Sequence, residues 1–306
     1  MTSKIKNLGE IGLIERLTKR IKLDKSVVLG AGDDAAVIRW TRDRYLLYTC
    51  DMIIEDVHFR LKDAAPFQIG RKALAVNISD IAAMGGVPRY AVISIGINPA
   101  TPVSFVDRLY RGIEALAKRF KINIVGGDTN SSRKLVIDIS LLGEVEKENL
   151  VTRSGAKRGD LILITGAIGG SIKGRHLNFM PRLAESRRLV KNFKINSMID
   201  VSDGLILDLG RILKASSCGA VIYEMAVPLS KDASSFASAI KNGEDFELLF
   251  TMGQKEAARF FKTELARFGT DVSMIGEVVE KRNGIKLVDG TGRIRNIKAK
   301  GYTHFD

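Results

Sequence analysis

Six short segments gather most of the residues that could do chemistry. They are Gly32-Asp33-Asp34-Ala35-Ala36, Thr49-Cys50-Asp51, Asn77-Ile78-Ser79-Asp80, Gly126-Gly127-Asp128-Thr129, Asp200-Val201-Ser202-Asp203-Gly204 and Gly243-Glu244-Asp245. The chain carries a formal net charge of +13, so its acids are scarce. Placing several of them beside glycines points to a bound cation. Carboxylates combined with backbone carbonyls and water suit Mg²⁺, which commonly accompanies phosphates.

Each segment also has an ordinary structural reading. Asp33-Asp34 fits a turn before a strand, but two adjacent carboxylates repel unless a cation lies beside them. In Thr49-Cys50-Asp51, strand alternation puts Thr49 and Asp51 on one face and Cys50 on the other. The Cys50 thiol is expected as small buried packing, leaving its carbonyl as a ligand. Asn77 and Asp80 share a face of a helix that is apolar nearly all round, where a bare Asp needs a partner. Gly126-Gly127-Asp128 fits a turn, or a phosphate held by exposed N–H groups with Asp128 near its metal. Ser202 or Asp203 would serve as a helix N-cap, although the two aspartates bring more charge than a cap needs.

The elements that must position these segments follow from periodicity. Helices are expected at residues 8–21, 66–84, 102–120, 182–191, 204–216 and 254–267. Pro66 suits a first turn and Gly85-Gly86 a stop. Strands are expected at 37–38, 45–51, 90–97, 135–144, 160–165, 219–223, 247–251, 272–279, 285–288 and 293–297. A further, buried strand is expected at Ile122–Val125. The polar stretch 146–159 separates two α+β halves, residues 1–147 and 148–306.

Composition sets further bounds. With 45% hydrophobic and 27% charged residues, the chain reads as soluble and globular. No stretch approaches the ~20 apolar residues of a membrane span, and the first 22 residues read as an amphipathic helix rather than a signal peptide. Two cysteines make no disulfide framework, so a cytoplasmic setting is expected. Two basic runs stand out, Arg182 to Lys194 and Lys281 to Lys300, the latter with seven Lys or Arg against one Asp. They are expected to be solvated faces; few aromatic residues interleave them, which argues against nucleic acid as a partner. No Walker sequence is present, since Gly166 to Ser171 lacks the lysine before its serine.

Taken in order, GAGDDAAVI, YTCD, KALAVNISDIAAMGGVPRYAVISIGI, IVGGDTN, LVTRSGAKRGD, IDVSDGLILDLGRILKASSCGA, NGEDFELLF and KGYTHF resemble the thiamine-monophosphate kinases. Those enzymes are related to aminoimidazole ribonucleotide synthetase. The resemblance implies a two-domain α+β fold whose N-terminal sheet pairs with that of a second copy in a dimeric barrel. It implies transfer of the ATP γ-phosphoryl to thiamine monophosphate, in line, with several Mg²⁺ ions and no protein nucleophile. The implied metal ligands are Asp34, Thr49, Cys50, Asp51, Asp80, Asp128, Asp200 and Asp203, with Asp33 adjacent. The implied ATP contacts are Tyr110, Gly127, Asp128, Arg153 and Ser202; the implied substrate contacts are His58, Glu244 and Tyr302.

Relatives often have Thr where this chain has Cys50, a position that can ligate here through its carbonyl but not through a hydroxyl. Two other reactions on the same fold would be expected to need a reactive cysteine. A hydrogenase-maturation dehydratase carries it at its end, where this chain reads His304-Phe305-Asp306; a selenophosphate synthetase carries it near its start, before the position of Cys50. A nucleic-acid-binding protein and a non-catalytic Mg²⁺–nucleotide sensor are the alternatives outside catalysis.

Overall fold

The computed structural model describes residues 4–305. The first half builds α1 (Gly9–Thr18), β1 (Val27–Leu29), β2 (Ala36–Arg39), β3 (Arg44–Ile54), α2 (Pro66–Ala83), β4 (Val87–Ile97), α3 (Val103–Phe120), β5 (Asn123–Ser131) and β6 (Val136–Glu146). Its six strands form one sheet in the order β1-β2-β3-β6-β4-β5, antiparallel except for the β4–β5 pair. β3 alternates as its sequence demands: Leu47, Thr49 and Ile53 turn inward while Tyr48, Cys50 and Met52 stay exposed.

The inner face of this sheet is covered by α2, and α3 packs on α2. Close approach of the two helices depends on Gly70 and Gly112. A Cβ at Gly70 would sit 2.0 Å from the Leu109 carbonyl oxygen, and one at Gly112 would sit 2.0 Å from that of Phe67. Ala65 precedes the helix in extended conformation and Pro66 stands in its first turn. Thirteen residues of α2, from Ile69 to Ala83, are buried. That burial matches a segment that is apolar nearly all round.

The second half contributes β7 (Leu161–Thr165), α4 (Arg175–Asn178), α5 (Leu183–Asn192), β8 (Ser197–Asp200), α6 (Leu205–Ser216), β9 (Cys218–Tyr223), α7 (Phe236–Ala239), β10 (Leu248–Met252), α8 (Gln254–Thr263), β11 (Val272–Glu280), β12 (Ile285–Val288) and β13 (Ile294–Ile297). Its sheet runs β13-β12-β9-β11-β7-β10-β8, with one parallel pair, β9–β12. Both halves are therefore α+β and mainly antiparallel. The halves are tied by Ser186, which donates to the Ala82 carbonyl, and by Arg187, which reaches the Gly85 carbonyl and Glu146.

Three expectations are corrected. The segment Ile122–Val125 is not a buried strand: Ile122 is covered, but β5 is exposed along its whole length because it is the edge of its sheet. The thiol of Cys50 is not buried packing; it is exposed and directed to an Asp138 oxygen at 2.9 Å. The basic run from Arg182 is not simply a solvated face, since Arg182 pairs with Glu247, Arg187 with Glu146 and Arg188 with Glu264. Among the described residues no helix is long and apolar enough to cross a membrane.

Candidate active site

Three carboxylates from three distant segments converge between the halves. One oxygen from each of Asp34, Asp80 and Asp200 lies within 4.8 Å of the other two. Asp34 follows the glycine turn before β2, Asp80 sits in the last turns of α2, and Asp200 ends β8. Thr49 on β3 donates to Asp80 at 2.5 Å, and Ser79 donates to Asp200 at 2.6 Å. The buried Asn77 accepts the Asp51 N–H at 3.1 Å and so fixes the end of β3 against α2. Among the described residues no Lys or Arg pairs with Asp80 or Asp200, and the buried Oδ2 of Asp34 has no hydrogen-bond partner.

The electrostatics follow from that shortage of positive charge. Burial lifts Asp80 and Asp200 well above the usual carboxylate range. Asp51, Asp200 and Asp34 push Asp80 further up, and Asp34 does the same to Asp200. Burial raises Asp51 to about 6, a hydrogen bond with Asp80 pulls it back, and the Asp203 and Asp34 charges add to the rise. Asp33 is pushed up to about 7 by burial and by the charge of Asp34. Arg153 is the one guanidinium in close contact: it binds Asp34 at 2.5 Å and gives its backbone N–H to Asp33 at 3.0 Å. Burial raises Asp34 in spite of Arg153. A buried carboxylate cluster of this kind, with an unpartnered oxygen, is what a divalent cation fits.

The cluster opens into a cleft of about 700 Å³. Asp51, Asp80, Asp200, Ser202 and Asp203 line one part of it, and His58, Lys72, Glu244 and Tyr302 line another. The segment 200–204 reaches the cleft because another residue caps α6. Neither Ser202 nor Asp203 is the N-cap; the buried carboxylate of Asp208 accepts the N–H groups of Asp203 and Gly204 at 3.0 and 3.1 Å. Arg211 then bridges Asp208 and Asp203 at 2.5 and 2.6 Å. The C-terminal segment docks on the same loop, the Tyr302 N–H donating to the Asp203 carbonyl at 2.9 Å.

At the other part of the cleft, the Nδ1 of His58 accepts the Ile54 N–H at 3.0 Å. Burial and the Lys72 charge hold His58 down at about 4, so it is neutral near pH 7 with its hydrogen on Nε2. Tyr302 is half-exposed and meets the His304 ring edge-on at 5.0 Å.

The structure thus brings together Asp33, Asp34, Thr49, Asp51, Asp80, Arg153, Asp200, Ser202, Asp203, His58, Glu244 and Tyr302. It leaves four expected residues apart. Cys50 lies on the outer face of β3. Gly127 and Asp128 lie on the edge strand β5, where Asn130 donates to Asp128 at 2.5 Å. The register Met52–Asp138–Ser94–Asp128 puts Asp128 three strands from β3, about 14 Å away. Tyr110 is partly buried on α3 against the first core.

Residues 32–145 match the family of AIR synthase related proteins by its N-terminal domain, and residues 146–288 match its C-terminal domain. The thiamine-monophosphate kinase of Bacillus subtilis is 36% identical across 97% of this chain and 100% of its own length. The chain belongs to the thiamine-monophosphate kinase family. The solved complex of AaThiL with AMPPCP and TMP superposes with a TM-score of 0.85 at 30% identity, covering 99% of both chains. The hydrogenase maturation protein HypE of E. coli, at 20% identity and TM-score 0.73 over 84% of this chain and 86% of its own, shares the fold.

Several residues of this family member were not singled out from sequence. Ser79, Asp208 and Arg211 orient the acids, and Lys72 is fully buried in the cleft wall. The Gly166 to Arg175 loop also has a defined role. Its Gly169 N–H and Ser171 hydroxyl donate to Asp245 at 2.9 and 2.8 Å, and Arg175 binds the same carboxylate at 2.5 Å. That loop therefore serves Asp245 rather than standing open for a phosphate.

Proposed function

We propose that this chain transfers the γ-phosphoryl group of ATP directly to the phosphate of thiamine monophosphate. The bond from phosphorus to the ADP oxygen breaks as the bond to the acceptor phosphate oxygen forms, with no phosphoenzyme. The observation that carries this reading is the convergence of Asp34, with its orphaned oxygen, on Asp80 and Asp200, which line a cleft together with His58, Glu244 and Tyr302. The family membership and the nucleotide analogue and TMP held by AaThiL support the choice of substrates.

Asp34, Asp80 and Asp200, with Thr49, Asp51 and Asp203 beside them, would hold several Mg²⁺ ions. Bound there, the ions would neutralise the phosphates and the charge that develops during transfer. Around them the protein's own groups bind and orient. Arg153 fixes Asp33 and Asp34, Ser202 offers a hydroxyl, and the neutral His58 offers its Nε2–H to an acceptor on the substrate. Tyr302 presents a ring edge and hydroxyl at the cleft, suited to a flat heteroaromatic ring. The only cysteine of the first half, Cys50, lies on the far side of β3, consistent with transfer that needs no nucleophile.

The same proposal includes a homodimer in the cytoplasm. Tyr48, Met52, Tyr90, Val92, Ile124 and Val125 form an exposed apolar area on the outer side of the first sheet and along β5, larger than isolated surface residues would make. Both cysteines are free, as a reducing compartment would leave them. Gly127, Asp128 and Tyr110 retain nucleotide or metal roles in this proposal only through that pairing or through bound nucleotide. Light scattering should give twice the chain mass, and Val92→Glu should halve it.

A coupled ADP assay tests the reaction. Thiamine monophosphate, ATP and excess Mg²⁺ should give acceptor-dependent ADP; folded protein that gives none would sink the assignment.

A further inference from the structure

A lysine buried within a hydrophobic helix is costly unless its ammonium is paired and hydrogen-bonded. Lys72 lies in the middle of α2 and is 0% exposed. Its Nζ donates to the backbone carbonyl of His58 at 2.8 Å and to the carboxylate of Glu244. These partners come from opposite halves of the chain. His58 follows β3, whereas Glu244 belongs to the loop before β10, 172 residues away from Lys72. One buried cation therefore ties together two residues that face the same cleft.

The Glu244 loop is held in an unusual shape around that contact. Glu244 and Phe246 both have positive φ, 69° and 51°, conformations that cost energy for residues with a side chain. Between them, Asp245 is buried and held by Gly169, Ser171 and Arg175. Phe246 stacks on Phe179 with centroids 4.1 Å apart. The Glu244 N–H donates to the Ser202 carbonyl at 2.7 Å. The loop is thus anchored on both sides of Glu244, and Lys72 is the only charged partner of its carboxylate among the described residues.

Position along the helix adds a second constraint. Lys72 precedes Asp80 by eight residues, which is about 12 Å of helix. The acid cluster occupies one end of that span, and the Lys72–Glu244 pair occupies the other. An acceptor with a phosphate at one end and a cationic ring system at the other fits this polarity.

We propose that Lys72 is a positioning residue for the ring end of the acceptor: it holds Glu244 as an oriented carboxylate facing a cationic heteroaromatic ring and locks the His58 segment beside it. Lys72 touches neither phosphate nor the reacting atoms in this role. The inference rests on the kinase reading given above and adds a determinant of acceptor specificity to it.

The test is Lys72→Met, similar in length but uncharged, measured alone and combined with Glu244→Gln. Lys72→Met should raise the KM for thiamine monophosphate by about ten- to a hundredfold, the size of one hydrogen bond to a charged group. The KM for ATP should stay within about twofold, since the acid cluster is unaffected. In the Glu244→Gln background the same substitution should add less than about threefold, because residues acting through one another are not additive. Lys72→Gln, which keeps a donor for the His58 carbonyl, takes the place of Lys72→Met if the latter does not fold. An unchanged KM for the acceptor, parallel rises in both KM values, or a full effect in the Glu244→Gln background would overturn the inference while leaving the kinase reading intact. Wild-type protein without acceptor-dependent ADP would instead overturn the kinase reading and this inference with it.

Discussion

Two groups of largely buried acids, Asp245 with Glu247 and Asp34 with Asp80 and Asp200, are finished differently. At Asp245 and Glu247 every carboxylate oxygen has a partner. Arg182 grips Glu247 with two bonds at 2.7 and 2.8 Å, Thr165 adds a third at 2.7 Å, and Arg175 with the Gly169 and Ser171 donors satisfies Asp245. At Asp34, Asp80 and Asp200 the donors are hydroxyls and one shared arginine, and an oxygen is left over. Burial raises Asp245 as well, but only to about 6, because the Gly169, Ser171 and Arg175 contacts pull it back. The first group is complete as folded; the second keeps an oxygen that a bound cation would satisfy on the proposed reading. On that reading the difference separates acids that hold the structure from acids that would do chemistry.

Neutralising one acid from each group should have opposite consequences. Asp80→Asn should lower kcat by about a thousandfold, the scale of losing one preorganised electrostatic contact to the transition state. Its melting temperature should hold or rise, because a repelled carboxylate has been removed. A large loss of stability with modest loss of turnover would show Asp80 to be structural. Glu247→Gln should behave in the opposite way. Removing the charge of Glu247 leaves Arg182 with only its longer contact to Glu185 at 3.4 Å, and thermal or urea unfolding should show a loss of about 3 kcal/mol.

Mg²⁺ provides a smaller test of the same contrast. At about a hundred times its Kd, a ligand that binds only the folded chain adds about 2.7 kcal/mol. Calorimetric melts with and without Mg²⁺ should show stabilisation of wild type and of Glu247→Gln, and none of Asp80→Asn. Equal stabilisation of all three would place the cation elsewhere. The smallest effect concerns His58, which lines the cleft. Its folded pKa is depressed to about 4 from the ordinary 6.5. Its contribution is therefore full above 6.5 and is lost as pH falls through about 4. Melting temperatures of His58→Gln should fall less steeply over that window than those of wild type; identical slopes would refute the assigned neutrality.

Local sequence located the site where its chemistry was self-contained. The turn glycines, the alternation in β3 and the mostly apolar surround of Asp80 each required a specific placement, and ten of the named acids and hydroxyls are brought to the same region. It failed where the deciding partner was remote. β8 has only four residues and β1 three, too few to show a period. Ser202 and Asp203 look like caps until Asp208, one turn into α6, takes the amides instead. Lys72 looks like an irregularity in an apolar helix until Glu244 arrives from the other half.

By itself, the sequence determined the family, the α+β character, the placement of most helices and strands, and which acids are candidates for metal. Those properties reside in residue order and short-range periodicity, which survive without coordinates. Tertiary structure alone decided which acids remain without counterions, that β5 is an exposed edge rather than a core strand, and that Lys72 joins the two halves. Counterion supply and burial are sums over residues far apart in the chain, so no local segment carries them.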